Sequence, residues 1–287
     1  MKKTIITIAC TGLLTLGLTG CDDKESIVPA PVANLHYDTT PGRIVLRWDT
    51  IVDANTRYVQ VDFYNPLTRK DERRLASVYA DSIEIPDTRQ KYGEYNFLVK
   101  TVSPTNDYSV VETITAQSEP AIQTWIPTSV KLTAEMLSTN AQEPSEGPIA
   151  NLLDDNTSTF FHTKWSSPVP ALPHYMTVAL PVTINSWWSI YYAPRNNANN
   201  KPTDFDLLGS TDGTTWFPIK NFTQEADGLP VDRTTAYTSE RMNASDKPFS
   251  YLRYSVNKTN NNTTFWTMSE FKIYTWILID PEAPDED

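Results

Sequence analysis

Residues 153–165 read Leu153-Asp154-Asp155-Asn156-Thr157-Ser158-Thr159-Phe160-Phe161-His162-Thr163-Lys164-Trp165. The first half is rich in oxygen. Asp154, Asn156 and Thr159 lie within six residues, a donor set that suits a hard cation taking about six to eight oxygens from side chains and loop carbonyls. Calcium fits that chemistry; an Asx-turn that holds no metal fits the same residues. The second half pairs His162, a planar hydrogen-bonding ring, with the aromatic face of Trp165. Such a face stacks on the C–H side of a pyranose while planar polar groups orient its hydroxyls.

Around this stretch the chain reads as strands over 130–134, 175–180, 183–192, 204–210, 216–220, 251–256 and 270–276, separated by long polar loops. Pro173-His174-Tyr175 follows the quoted stretch. Then come Tyr192-Ala193-Pro194-Arg195, Leu208-Gly209-Ser210-Thr211-Asp212-Gly213-Thr214-Thr215-Trp216, Tyr251-Leu252-Arg253-Tyr254 and Ser269-Glu270-Phe271-Lys272-Ile273-Tyr274. In order and rough spacing these blocks resemble the discoidin, or coagulation factor 5/8 type C, family from Thr128 to Trp276. The resemblance implies an eight-stranded jelly roll. Bacterial members often belong to the family 32 carbohydrate-binding modules, which hold terminal sugars such as galactose or N-acetylated hexosamines in loops at one end of the sandwich.

The resemblance also implies a site. For a structural calcium, Asp154 and Thr159 would give side-chain oxygens, Asn156 a carbonyl, and Glu270 would close the site from the last strand. The family usually has glycine where Asp155 stands, so a tight turn falls to a residue that tolerates left-handed geometry better than most. The ligand loops would carry His162, Trp165, Arg195, Asn196, Asn197, Phe265 and Trp266. Trp266 follows the Asn-rich loop 257–264 and is expected to be at least partly exposed, which makes it the leading stacking residue. Structural roles stand beside these: Arg195 bracing the fold, His162 bonding a neighbouring carbonyl, Trp165 closing the mouth of the barrel. Trp187 and Trp188 must face opposite sides of a strand, one toward the core and the other free to pack on a first domain.

Upstream, period-two alternation begins at Asn34. Ile44, Leu46 and Trp48 alternate with Val45, Arg47 and Asp49, and Val59, Val61 and Phe63 repeat the pattern. Ser82–Ile85 and Tyr95–Val99 follow, with turns at Pro86-Asp87 and Tyr92-Gly93. About seven strands in some ninety residues suit an Ig-like sandwich. The span 34–125 resembles a fibronectin type III domain, with Trp48 in the place of its core tryptophan and Tyr95 in that of its corner tyrosine. Trp125-Ile126-Pro127 marks the boundary, the second domain runs over 128–277, and 278–287 reads as a disordered acidic tail.

Lys2, Lys3 and the apolar run Ile5–Leu18 read as a secretory signal over 1–20, too short for a bilayer span. Leu18-Thr19-Gly20-Cys21 resembles the lipobox of bacterial lipoproteins, which implies acylation of Cys21; a plain secretory signal or an uncleaved anchor is the alternative. Asp22-Asp23-Lys24-Glu25 resembles the surface-export signal on lipoproteins of glycan-degrading Gram-negative gut bacteria, or is simply a solvated tether. Residues 21–33 would then be the lipidated cysteine and a stiff extended spacer.

Twenty-one prolines against nine glycines agree with an all-β chain. The formal charge is −11, becoming −13 without Lys2 and Lys3 because residues 1–20 hold no carboxylate. That balance excludes a basic nucleic-acid surface and leaves the acyl chains as the membrane attachment. The two cysteines, Cys10 and Cys21, support neither a disulfide framework nor a zinc site in the processed chain. No phosphate loop, dinucleotide fingerprint, zinc-protease motif or nucleophile elbow occurs, and no carboxylate spacing implies a glycosidase cleft. The expectation is a non-enzymatic, surface-exposed outer-membrane lipoprotein that binds glycan through its second domain, capturing it for a transporter or glycosidase partner. The alternative is an adhesion or assembly protein gripping a protein through the same loops.

Overall fold

The structure is a computed structural model and describes residues 26–285. The expected signal, Cys21 and the acidic cluster after it lie outside the described residues. The chain divides into two compact units, one taking it as far as Ile122 and again from Pro281, the other running Gln123–Asp280.

The first unit holds β1 (His36–Thr40), β2 (Arg43–Arg47), β3 (Tyr58–Asn65), β4 (Lys70–Ser77), β5 (Ser82–Ile85), β6 (Glu94–Val102) and β7 (Glu112–Gln117). They form a three-stranded sheet, β1-β2-β5, and a four-stranded sheet, β4-β3-β6-β7. Period-two alternation drives the packing: Ile44 and Leu46, Val59, Val61 and Phe63, and Tyr95, Phe97 and Val99 are all buried in one core with Trp48. Polar ends of the two large aromatics are satisfied there. Trp48 Nε1 donates to the Ala80 carbonyl at 3.0 Å. The Tyr95 hydroxyl accepts from the Arg89 N–H at 2.8 Å and donates to the Arg89 carbonyl at 3.3 Å, closing the corner before β6.

Three expectations change here. The spacer is not free: Val32 is buried in the core, and the backbone at Ala30 bonds both Asp53 and Thr101. The acidic tail is not disordered through Asp285. Leu278 and Ile279 belong to a strand, and Glu282 accepts from the N–H groups of Gln90, Lys91 and Ala121. Burial pushes the Glu282 carboxyl up, but these backbone donors outweigh it and hold it below the usual range. Trp125-Ile126-Pro127, expected at the boundary, falls inside the second unit. It lies in β8 (Thr124–Ser129) of the second unit, because the last strand runs on far enough to pair Leu278 with Trp125.

After β8 the second unit continues with β9 (Leu137–Thr139), β10 (Phe161–His162), β11 (His174–Ile184), β12 (Trp187–Ala193), β13 (Pro202–Ser210), β14 (Phe217–Thr223), β15 (Tyr237–Thr238), β16 (Met242–Asn243), β17 (Phe249–Thr259), β18 (Thr267–Met268) and β19 (Glu270–Ile279). One five-stranded sheet runs β14-β13-β17-β11-β9; a second runs β15-β12-β19-β8 with β16 also on β12; β10 and β18 form a separate ribbon. Setting aside the two-residue strands β10, β15, β16 and β18, eight strands build the sandwich. The strand expected over 130–134 sits earlier, as β8, since pairing to β19 ends with the Val130 N–H on the Ile273 carbonyl. The expected 175–180 strand extends through a register irregularity to Ile184. The core is aromatic: Phe205 stacks on Tyr254 at 4.2 Å between ring centroids and on Phe222 at 5.0 Å, and Trp188 meets Phe249 at 4.9 Å.

Replacing Tyr95 with Phe removes both corner hydrogen bonds and leaves the Arg89 amide to water. A loss of about 1–2 kcal/mol is expected, read as a lower urea midpoint for the first unit's transition.

Candidate functional site

Two neighbouring constructions occupy one end of the second unit. The first is the turn 154–159. Asp155 adopts φ +56°, the left-handed geometry its position requires, and its carboxylate meets Lys272 Nζ at 2.5 Å. Thr159 Oγ1 donates to Asp154 Oδ2 at 2.7 Å and lies 2.7 Å from the Asn156 carbonyl. The Asn156 N–H donates to Asp154 Oδ1 at 3.0 Å and to Glu270 Oε1 at 2.7 Å. The four residues named for a cation therefore meet. Thr159 bonding holds Asp154 below the usual carboxylate range, whereas burial, with the charges of Asp154 and Asp155, pushes Glu270 up. Glu270 Oε2 is buried with no hydrogen-bond partner among the described residues. An orphaned carboxylate oxygen beside hydroxyl and carbonyl oxygens fits a hard cation. Among the described residues no group of three or more His, Cys, Asp or Glu side chains gathers, so neutral oxygens would supply much of the coordination.

The second construction is an aromatic and planar-polar cluster. His162 lies 5.6 Å from Phe265 and 6.5 Å from Trp165 between ring centroids, and Phe160 lies 6.3 Å from His162. The Arg195 guanidinium sits 3.4 Å above the centre of the Phe160 ring, with no carboxylate in ion-pair range among the described residues. Trp165 is 43% exposed, leaving much of its ring to water. His162 is buried, and its Nδ1 approaches the Thr163 carbonyl at 2.6 Å. A carbonyl can only accept, so Nδ1 carries the proton and Nε2 of the neutral ring is an acceptor. Burial, then the Arg195 charge, outweighs the Thr163 bond and the nearby glutamates and lowers the His162 pKa.

The seven ligand residues expected from sequence divide. His162, Trp165, Arg195 and Phe265 converge. Asn196 is exposed but faces a hollow of about 320 Å³ lined by Thr157, Ser158, Pro194, Arg233 and Thr234. Asn197 turns inward, its N–H on the Arg195 carbonyl at 2.7 Å and its Oδ1 buried without a partner. Trp266 is fully buried, which overturns its expected exposure. Its Nε1 donates to the His174 carbonyl at 3.1 Å, and its ring packs on Phe161 at 5.1 Å and Tyr254 at 5.6 Å. The polar loop before it ends where β18 begins, and β18 pairs with β10, so the indole points into the core.

Supporting residues went unread in the sequence. Glu143 Oε1 accepts from the Ser145 N–H and hydroxyl, and Oε2 from the N–H groups of Trp165 and Ser166. Burial opposes its charge, but these donors hold the carboxyl down at about 2. Glu146 accepts from Trp165 Nε1 at 2.9 Å and fixes the ring's swing. Gly147 adopts φ +62° where a Cβ would lie 2.7 Å from the His162 nitrogen, so only glycine fits. Lys201 is buried, donates through Nζ to the Arg195 carbonyl, and is pushed down to about 8 by burial and by the Arg195 charge. Asn260 Nδ2 donates to the Ala198 carbonyl at 2.8 Å, and Thr263 Oγ1 to that of Phe265 at 2.9 Å. In sequence these are polar loop residues with no motif; only Glu143, followed by Ser145 and Gly147, had a turn-like setting.

Residues 136–271 match the family model of the F5/8 type C domain. The matched span lies within the second unit and contains both the turn 154–159 and the aromatic cluster. A sialidase of Micromonospora viridifaciens is 29% identical over 134 residues, 45% of this chain; the chain spans about a fifth of that relative, 21% of its length. Among solved structures, a family 32 carbohydrate-binding module of Clostridium perfringens NanJ, determined with galactose, is 20% identical, covering 52% of this chain and 99% of its own at a TM-score of 0.40. The C-terminal domain of a Bacteroides fragilis chitobiase is also 20% identical, covering 52% of this chain and 99% of its own at a TM-score of 0.41. A SusE-like protein is 13% identical, covering 85% of this chain and 97% of its own at a TM-score of 0.38.

Because Trp266 belongs to the core, Trp266→Ala should cost about 3–5 kcal/mol of stability. Trp165→Ala, at an exposed ring, should leave the melting temperature within a degree or two. Thermal melts of the two variants side by side measure the contrast.

Proposed function

We propose that this protein binds carbohydrate, without catalysis, through the cluster of His162, Trp165, Arg195 and Phe265. The observation that carries the reading is the convergence of an exposed indole, an Arg guanidinium without a carboxylate partner and a histidine acceptor. A pyranose stacks its C–H face on Trp165, one hydroxyl donates to His162 Nε2, and a neighbouring hydroxyl accepts from Arg195. Galactose and an N-acetylgalactosamine terminus both carry adjacent hydroxyls, one able to donate to an acceptor while its neighbour accepts from a donor. The relative with sialidase activity and the galactose-bound module support a sugar as ligand without identifying it.

The same reading places a structural calcium on Asp154, Asn156, Thr159 and Glu270, supported by the unpartnered Glu270 Oε2. It places the protein at the outer-membrane surface through acylated Cys21 and the acidic residues after it, supported by the sequence Leu18-Thr19-Gly20-Cys21. The first unit, resembling a fibronectin type III domain, serves as the spacer, and a transporter or glycosidase would take up what is captured.

Calorimetry against galactose and N-acetylgalactosamine should give dissociation constants of about 0.1–1 mM, or roughly −4 to −5.5 kcal/mol. Trp165→Ala and Arg195→Ala should each abolish detectable binding. A broad glycan array without a single hit, alongside co-purification with one membrane protein, would replace this reading with protein adhesion.

The His162 pKa is depressed, so the neutral ring and the stability it contributes are intact above about pH 6.5 and are lost as pH falls through the lowered value. Affinity measured from pH 8 downward should stay level and then decline below that range; a His162→Gln variant, keeping an acceptor but no titration, should remove the decline.

Calcium at a hundred times its dissociation constant should add about 2.7 kcal/mol of stability. Melts with calcium and with chelator measure it, and Asp154→Ala should show no difference between the two.

A further inference from the structure

The sheet β15-β12-β19-β8 has a second aromatic construction on its solvent side, away from the cluster above. Along β19, Phe271 and Ile273 face the core, so Trp276, three residues beyond Ile273, lies on the opposite face. Along β12, Trp188 is buried and Trp187 points the other way. The register pairs Trp188 with Thr275 and Leu278 with Trp125, which sets Trp187 beside Trp276 and Trp125 diagonal to it. Three tryptophans from adjacent strands thus share one outer face. Trp125 and Trp187 meet edge-on at 5.2 Å.

Arg241, exposed and just before β16, lays its guanidinium over Trp125 at 4.5 Å and over Trp276 at 5.3 Å. Two indoles hold it by cation–π attraction. Among the described residues no carboxylate pairs with it; its neighbour Glu240 pairs with Lys220 at 2.5 Å instead. Its N–H donors are therefore oriented but not consumed, and Trp187 keeps 37% of its surface in water. The hollow between these groups measures about 530 Å³ and is also lined by Thr238 and by Glu240, whose charge is answered by Lys220; its size is within the range of pockets that hold small ligands.

We propose that this face is a second binding site, independent of the His162 cluster, for a saccharide bearing a carboxylate, a hexuronic acid. Its apolar ring face stacks on Trp187, and its carboxylate takes the charge-assisted, bidentate bond that an aromatic-held guanidinium offers. Neutral sugars can stack there but leave the guanidinium unanswered, so the site discriminates by charge.

The test is calorimetry of the full chain with a galacturonate trisaccharide and with its methyl ester, which keeps shape and removes charge. The acid should bind saturably, and the ester about tenfold more weakly. Arg241→Met, which keeps the apolar stem, and Trp187→Ala should each weaken the acid at least tenfold while melting as the wild type does. Trp165→Ala should leave this binding intact, so failure of the galactose reading and failure of this one appear in different variants. The proposal is overturned if acid and ester bind equally, if the acid does not bind, or if Trp165→Ala abolishes binding while Trp187→Ala does not.

Discussion

The burial of the Trp266 indole organises the end of the second unit on which the His162 cluster stands. Its N–H finds the carbonyl of His174 at the start of β11, its ring packs on Phe161 of β10 and Tyr254 of β17, and its backbone exchanges bonds with Thr163. Segments distant in sequence are thereby fixed to one ring. Phe265, its neighbour, is held half-buried beside His162 because Trp266 cannot turn outward without leaving the His174 carbonyl unpaired and a large cavity. The loop after Trp165 must return to His174, where β11 begins. The positions of the aromatic rings thus follow from core packing, and their exposure from which side of the ribbon each occupies.

Charge is arranged around that frame with economy. Glu143 and Glu146 point their carboxylates at N–H groups of the Trp165 loop, so they brace the aromatic wall without neutralising Arg195. Arg195 rests on Phe160 and keeps its donors free. Had a carboxylate occupied that place, a hydroxyl arriving from water would exchange one good partner for another and gain little. In the turn 154–159 the opposite arrangement holds: carboxylate, hydroxyl and carbonyl oxygens crowd together, and the excess of acceptors is visible in Glu270, whose charge the fold disfavours. A cation bound there would resolve that excess. One end of the sandwich therefore carries a surplus of donors and a surplus of acceptors side by side.

Much of the architecture was legible from alternation alone. Ile44, Leu46 and Trp48, or Phe271 and Ile273, recur at the period of a half-buried strand, and they lie in the two cores as that period requires. The oxygen cluster of Asp154, Asn156 and Thr159 was legible because local spacing alone brings it together. What local pattern does not carry is the partner across the sheet. β8 escaped because its pairing with β19 joins residues about 150 positions apart, and the tail escaped because three backbone amides wait for Glu282 in the first unit. Trp266 misled for a related reason: a polar loop before a large ring predicts exposure only when no strand follows at once, and here β18 does.

Lys201 separates what is kept for stability from what is kept for geometry. A buried ammonium is costly, and this one is answered by a single backbone carbonyl, that of Arg195, with no carboxylate in ion-pair range among the described residues. Burial and the charge of Arg195 both disfavour its protonated form. An apolar residue of like volume would fill the space at less expense. What it would not do is hold the Arg195 carbonyl from beneath while the asparagines of 257–264 hold the loop from its far side through Ala198 and Asn200. The energetic sacrifice falls at the base of the loop that carries the guanidinium, and breaks of this kind in an otherwise consistent fold concentrate at functional sites.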